Sequence, residues 1–206
     1  MTDAPPIPKP PERISDFMRR LMDTAAETET VTVGRILHIF GVRGFAFLML
    51  VLAFLNVVIF MVPLLSFFLG LPMVILAAQM VIGLHAPVFP HLIRRQTIGR
   101  GPLVDGIKRA VHGLEVIERY IKPRLTFLSD PALMRVHALF ALVMAVMVTL
   151  PIPVINVPPS VALVFLAIGI LERDGLFIIF GYAIGIWCLW LFKSLEHIVH
   201  AASSAS

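Results

Sequence analysis

The chain has 206 residues, 58% of them hydrophobic, and a mean hydropathy of +0.91, which is too apolar for a water-soluble domain of this size and reads as an integral membrane protein. A single cysteine, Cys188, excludes a disulfide framework and a thiolate zinc cluster. The net charge of +4 and pI near 9.7 come without a basic face interleaved with stacking aromatics, so membrane lipids with anionic headgroups, and no nucleic acid, are the expected partners.

Residues 1–12 carry Pro5, Pro6, Pro8, Pro10 and Pro11 and no apolar run, which predicts a disordered or extended tail. The remainder, 13–206, reads as one membrane domain. No signal peptide is visible ahead of the first long apolar run at Phe45. Ile14, Phe17, Met18, Leu21 and Met22 recur at helical spacing opposite Arg13, Asp16, Arg19, Arg20 and Asp23, an amphipathic helix. Thr30 or Thr32 can cap a second short helix, Val33 to Phe40, closed by Gly41.

Phe45 to Gly83 holds 39 residues without a formal charge, about twice what one spanning helix needs, so the chain must fold back. Asn56, Pro63, Gly70 and Pro72 interrupt it, which predicts arms at 45–60 and 72–83, the second about 18 Å long and too short to cross. A polar connector follows over about 91–130. Within it, Ile107, Val111, Leu114, Ile117 and Ile121 form an apolar stripe opposite Lys108, Arg109, Glu115 and Glu118. Residues 94–124 hold eight basic and three acidic side chains, net +5, which places the connector in the cytoplasm under the positive-inside rule.

The second apolar stretch, 132–171, is cut by Pro151, Pro153, Pro158 and Pro159 around Asn156. Four prolines within nine residues forbid a continuous helix, yet the flanks are apolar enough for lipid, where freed backbone groups must be satisfied inside protein. The predicted restart is a short helix, Ser160 to Glu172, capped by Ser160 and about 20 Å long. Leu176 to Phe192 is the only stretch expected to span comfortably. Its Gly181 and Gly185 form a G-x-x-x-G face that would admit a second helix, a possible homodimer contact, and Trp187, Trp190 and Lys193 suit an interfacial end.

Two halves, about 30–90 and about 131–199, thus share a plan: an apolar arm, an interruption with asparagine and proline, and a short arm ending near glycine. Asn56 pairs with Asn156, Pro63 with Pro158 and Gly83 with Gly175. The predicted fold is an all-α integral membrane protein of two repeated broken or re-entrant helical hairpins, with amphipathic helices and a C-terminal transmembrane helix. Matched broken helices in two halves point to a binding site near the membrane midplane.

Arg43-Gly44, Gly70-Leu71-Pro72, Gln79, Pro87, Pro90, Glu118-Arg119, Pro123-Arg124, Leu150-Pro151-Ile152-Pro153 with Asn156, and Leu171-Glu172-Arg173-Asp174-Gly175 together resemble the exopolysaccharide-synthesis ExoD family of bacterial inner-membrane proteins. The resemblance covers about residues 13–195. It departs at the first break, where Leu55 precedes Asn56 with no proline until Pro63. It implies a multi-pass protein of the bacterial inner (plasma) membrane that acts in exopolysaccharide production, beside other polysaccharide-synthesis proteins, and for some members in tolerance of alkaline conditions. It brings no catalytic residue with it.

The residues themselves do not point to an enzyme. The seven histidines (38, 85, 91, 112, 137, 197 and 200) lack ligand spacing, and there is no phosphate loop and no G-x-S-x-G, so no metal, cofactor or catalytic residue is expected. Glu172-Arg173-Asp174 reads as a solvated turn before it reads as a general acid. Binding or translocation of an anionic lipid or lipid-linked sugar fits better. Helix N-termini at the breaks would face the anion, with Asn56, Gln79 and Asn156 as neutral contacts and Arg43 and Arg173 supplying charge. For either asparagine the plainer role is to cap backbone freed at the break. The alternatives are a non-transporting scaffold, or ion or proton exchange, which would want a carboxylate inside the apolar spans; none lies in 45–83 or 137–171.

Overall fold

The computed structural model describes residues 30–32, 42–59, 62–88, 97–99, 101, 105, 125–130, 132–150 and 156–204. The predicted tail and amphipathic helices at 13–23, 33–40 and 107–121 lie outside them, as do Pro151 and Pro153. By its contacts the chain divides into two compact units, 1–36 with 91–122, and 37–90 with 123–206.

In the first unit, strand β1 (Thr30–Thr32) pairs antiparallel with β2 (Thr97–Gly99), with Val31 opposite Ile98. Thr30 and Thr32 are strand residues, and the helix 33–40 that either was expected to cap lies outside the described residues. Three residues of alternating Thr and Val suit a pleated edge, but a strand this short has no pattern that sequence periodicity detects.

The second unit is helical: α1 (Val42–Val58), α2 (Pro63–Ile82), a single 3-10 turn (Thr126–Ser129), α3 (Met134–Thr149), α4 (Val157–Glu172) and α5 (Gly175–Ser204). Two of these are long and apolar enough to cross a membrane, Leu64–Ile82 and Gly175–Ser194, and only a third or less of each is buried inside the protein. Large apolar side chains such as Phe54, Phe68, Ile75, Leu139, Val143, Phe180 and Ile186 are exposed. Apart from Phe45 on α1 and Leu76 on α2, the buried stripes are made of small, methionine and polar residues instead: Ala46, Met49, Ala53 and Asn56 on α1, and Ser66, Gly70, Met73, Ala77 and Met80 on α2. An outward apolar belt around an inward face of small residues is the pattern of helices packed in lipid.

Three expectations are corrected here. Pro72 lies inside α2 and does not break it, so the second arm is 20 residues and about 30 Å long. Lipid-embedded helices tolerate an internal proline because neighbouring groups compensate the freed carbonyl. The Leu176–Phe192 stretch is accordingly not alone in being long enough to span. The fourth helix starts at Val157, not Ser160, and its N-cap is Asn156, which makes no side-chain capping bond. Pro158 and Pro159 sit in its first turn, where their missing N–H groups cost nothing to the helix.

The helices pack crosswise. α1 lies on α4, α2 on α3, each hairpin's own arms touch, and α5 covers α4. The partners run antiparallel: Gly70, the eighth of the 20 residues of α2, meets Thr149 at the end of α3, and Gly83 beyond α2 meets Arg135 at the start of α3. A side-chain carbon at Gly70 would lie 2.7 Å from Thr149 Cγ2, so only glycine lets these helices approach there. α4 is the core helix, with Leu163, Leu166, Ala167, Ile170 and Leu171 all buried.

Both second arms stop the same way. Gly83 takes a left-handed φ of 88°, its N–H donates to the Met80 carbonyl, and Leu84 N–H donates to Gln79, a Schellman ending. Arg173 takes φ 54° while Asp174 N–H donates to the Gly169 carbonyl at 3.0 Å. The counterpart of Gly83 is thus Arg173, where Gly175 was expected. Gly175 opens α5, and the buried Asp174 carboxylate accepts the Leu176 N–H at 3.0 Å as its cap.

Candidate functional site

The crosswise packing brings the end of α1 and the starts of α2 and α4 to one place, and the polar residues of the breaks meet there. Asn56 is fully buried. Its Nδ2 faces the Ser66 carbonyl at 3.4 Å, and its Oδ1 accepts from the Ser160 hydroxyl at 3.1 Å, a link between the two halves across 104 positions of sequence. The Ser160 hydroxyl also points at the Asn156 carbonyl at 2.7 Å. It has one proton for two acceptors, and because the Asn156 carbonyl also accepts the Ser160 N–H at 3.3 Å, the acceptor left without a donor when the hydroxyl turns away is Asn56 Oδ1.

The shortage extends further. Asn156 is 1% exposed, yet its Oδ1 and Nδ2 have no hydrogen-bond partner, and the buried Ser66 hydroxyl has none either. A buried polar group left without a partner costs about 1–3 kcal/mol, and folds retain such groups where they serve something other than stability. Four neutral residues, Asn56, Ser66, Asn156 and Ser160, therefore form one under-bonded polar junction inside an apolar bundle.

The structure does not bring the other expected ligand residues to it. Arg43 begins α1 and Arg173 ends α4, each thirteen residues from the junction on its own helix, roughly 20 Å along the axis. Gln79 is near the far end of α2. Its Nε2 donates to the Val88 carbonyl and its Oε1 accepts the Val88 N–H, both at 2.8 Å, so it clamps the loop after Gly83. Helix N-termini are poor in donors as well. Pro63 opens α2, and the N–H groups of Leu65 and Ser66 both go to the Val62 carbonyl. In α4, Pro158 and Pro159 have no N–H and Ser160 N–H goes to the Asn156 carbonyl at 3.3 Å, which leaves at most the Val157 donor for a ligand.

At the opposite end of the bundle His137 is buried and satisfied. Its Nε2 lies 2.6 Å from the Leu128 carbonyl and so carries the proton, while Nδ1 accepts from the Tyr182 hydroxyl at 2.9 Å. Tyr182 packs tilted on Phe140 with ring centres 4.2 Å apart. This ties the 3-10 turn, α3 and α5 together. Among the described residues no three His, Cys, Asp or Glu side chains come together as metal ligands.

Sequence reasoning singled out both asparagines but missed the serines as site residues. The available signal was positional. Ser66 and Ser160 are each the fourth residue of a helix opened by proline-containing turns, the same offset in both halves.

Gly181 and Gly185, the expected dimer face, are covered by this chain. A side-chain carbon at Gly181 would lie 2.9 Å from the Leu166 backbone nitrogen, and one at Gly185 would collide with Phe140. The close approach that G-x-x-x-G permits is used within the bundle.

A helical membrane protein with an apolar belt and a buried neutral polar junction is the class these features define. The comparisons give the family. The family model "Exopolysaccharide synthesis, ExoD" matches residues 14–194, so the chain belongs to the ExoD family, as its motifs implied, and has a role in exopolysaccharide synthesis. Protein ExoD of Rhizobium meliloti (strain 1021) is 28% identical over 177 residues, which cover 81% of this chain and 73% of that protein. No solved structure matches significantly.

Proposed function

We propose that the junction holds the polar head of an anionic lipid or lipid-linked sugar during exopolysaccharide synthesis, in the inner membrane, with the two hairpins acting as repeats of one unit. The observation that carries this is that the buried Asn156 amide and the buried Ser66 hydroxyl are both unpartnered, on residues joined through Asn56 and Ser160. A repeat is supported by the crosswise set of contacts, since exchanging α1 with α3 and α2 with α4 maps every hairpin contact onto another.

The depth of the site follows from α5. Gly169 on α4 meets Ile178, and Gly181 meets Ala162 and Leu166, so Trp187 and Trp190 come level with Ser160 and Asn156. Both tryptophans are exposed, and exposed tryptophan marks the boundary between headgroups and hydrocarbon. In this reading the hairpins turn near the far boundary, not at the midplane, where a lipid's polar head resides.

The experiment is lipid binding by purified protein in liposomes, wild type against Asn156→Ala, with a melting curve for each. Weaker lipid binding by a variant that melts normally supports the reading. Unchanged binding leaves the junction a structural feature and favours a scaffold within a polysaccharide-synthesis complex.

A further inference from the structure

We infer that the junction recognises hydroxyl groups and not charge, so that its ligand is a membrane lipid with an uncharged glycosyl or polyol head. This rests on the binding reading above and narrows it.

Three observations point the same way. First, the unpartnered groups are an amide and a hydroxyl. An amide offers donor and acceptor side by side, as the hydroxyls of a sugar do, and each half of one can bond the other. A phosphate only accepts, so the Asn156 Oδ1 would face it without a proton between them. Second, most of the donors that helix N-termini ordinarily give an anion are removed by Pro63, Pro158 and Pro159 or used by the Val62 and Asn156 carbonyls, which leaves one N–H at each helix, Leu64 and Val157. Third, the described cations do not converge on the junction. Arg43, Arg135 and Arg173 lie at the other end of the bundle, and Lys193, nearer in height on α5, is exposed.

That the ligand is a lipid follows from the rim. Phe54, Val58, Val62, Leu64 and Phe68 surround the first break and are all exposed, an apolar approach that a free sugar would not use and an acyl chain would.

The test uses the full chain purified in lauryldimethylamine oxide, a detergent without a sugar, and three probes: monoglucosyldiacylglycerol, phosphatidic acid with the same acyl chains, and free glucose. Binding is read by native mass spectrometry and thermal shift for wild type, Asn156→Ala and Ser66→Ala. The glucosyl lipid is expected to bind wild type and to lose roughly tenfold in affinity in each variant, one hydrogen bond apiece. Phosphatidic acid is expected to bind all three alike. If phosphatidic acid loses as much or more in Asn156→Ala, the site is real but reads charge, and the inference is overturned while lipid binding stands. Tight, Asn156-dependent binding of free glucose overturns the lipid part. No dependence on either residue for any probe removes the inference together with the binding reading. A variant that fails to fold shows that its side chain is needed by the bundle, which also overturns the inference.

Discussion

Asn156 is the residue on which structural and functional roles make opposite predictions. If its amide capped α4, Asn156→Ala would lower stability by about 1 kcal/mol. Because the amide is buried and has no partner, the substitution removes a desolvation penalty, and Asn156→Ala and Ser66→Ala should melt at or above the wild-type temperature in detergent. Asn56→Ala should do the reverse, by about 1–3 kcal/mol, because Asn56 supplies the bond from α1 to Ser160. A second residue-scale test concerns Arg173, held at φ 54°, where a side chain is unfavourable. Arg173→Gly should raise stability by about 0.5–1 kcal/mol without affecting lipid binding; a loss of binding would return this arginine to the site. The asparagines were legible in the sequence because an amide in an apolar run stands out. Ser66 was not, and Ser160 was read only as a helix cap, since serine is common on the tight faces of lipid-embedded helices. Arg43, Gln79 and Arg173 are not brought to the junction, because one helix length from the breaks in the sequence becomes roughly the height of the bundle in the fold.

At the scale of elements, proline and glycine carried most of what the sequence revealed. Pro63 opens α2 and Pro158 and Pro159 lie in the first turn of α4, so helices restart at the prolines that marked the breaks, and Gly83 ends α2 as a left-handed cap. Pro72 misled, because a proline that would end a helix in water is accommodated in a bundle surrounded by lipid. Pro72→Ala should therefore leave α2 intact and the melting temperature equal or higher, and a collapse of the fold would mean that the proline shapes a bend the bundle needs. The glycines of α5 give the sharper test. Gly181→Ala puts a methyl group against the α4 backbone, which cannot rotate away, and should cost about 1–3 kcal/mol. Size-exclusion chromatography with light scattering should show the folded fraction of this variant with the wild-type mass, because the glycine face packs inside the chain. A change of oligomeric state at unchanged melting temperature would instead restore a dimer contact.

At the scale of the whole molecule, strand pairing and charge constrain how the chain lies in the membrane. β1 and β2 are hydrogen-bonded, so in a membrane residues 32 and 97 would share one side and any crossings between them would have to be even in number. The hairpin of α1 and α2 meets that condition. α3 and α4 form a second hairpin that returns to its starting level, where Gly175 opens α5 beside Leu125 and Leu128. From there α5 runs once past the height of both turns, and Leu176 to Ser194 has the length and hydropathy to complete a crossing. The net +5 over 94–124 predicts that the first side is cytoplasmic, and with one crossing by α5 the C-terminus should then emerge on the opposite face. In a variant with Cys188→Ser, an impermeant maleimide added to intact cells should leave Arg100→Cys unlabelled and should label Ser206→Cys. Alkaline phosphatase fused after Ser206 should be active, and a green fluorescent protein fused there by the same export route should be dark. Both ends labelled alike would mean that α5 lies in the interface or turns back. The tryptophans at 187 and 190 would then no longer mark the far boundary, and the polar junction would have to be placed at another depth.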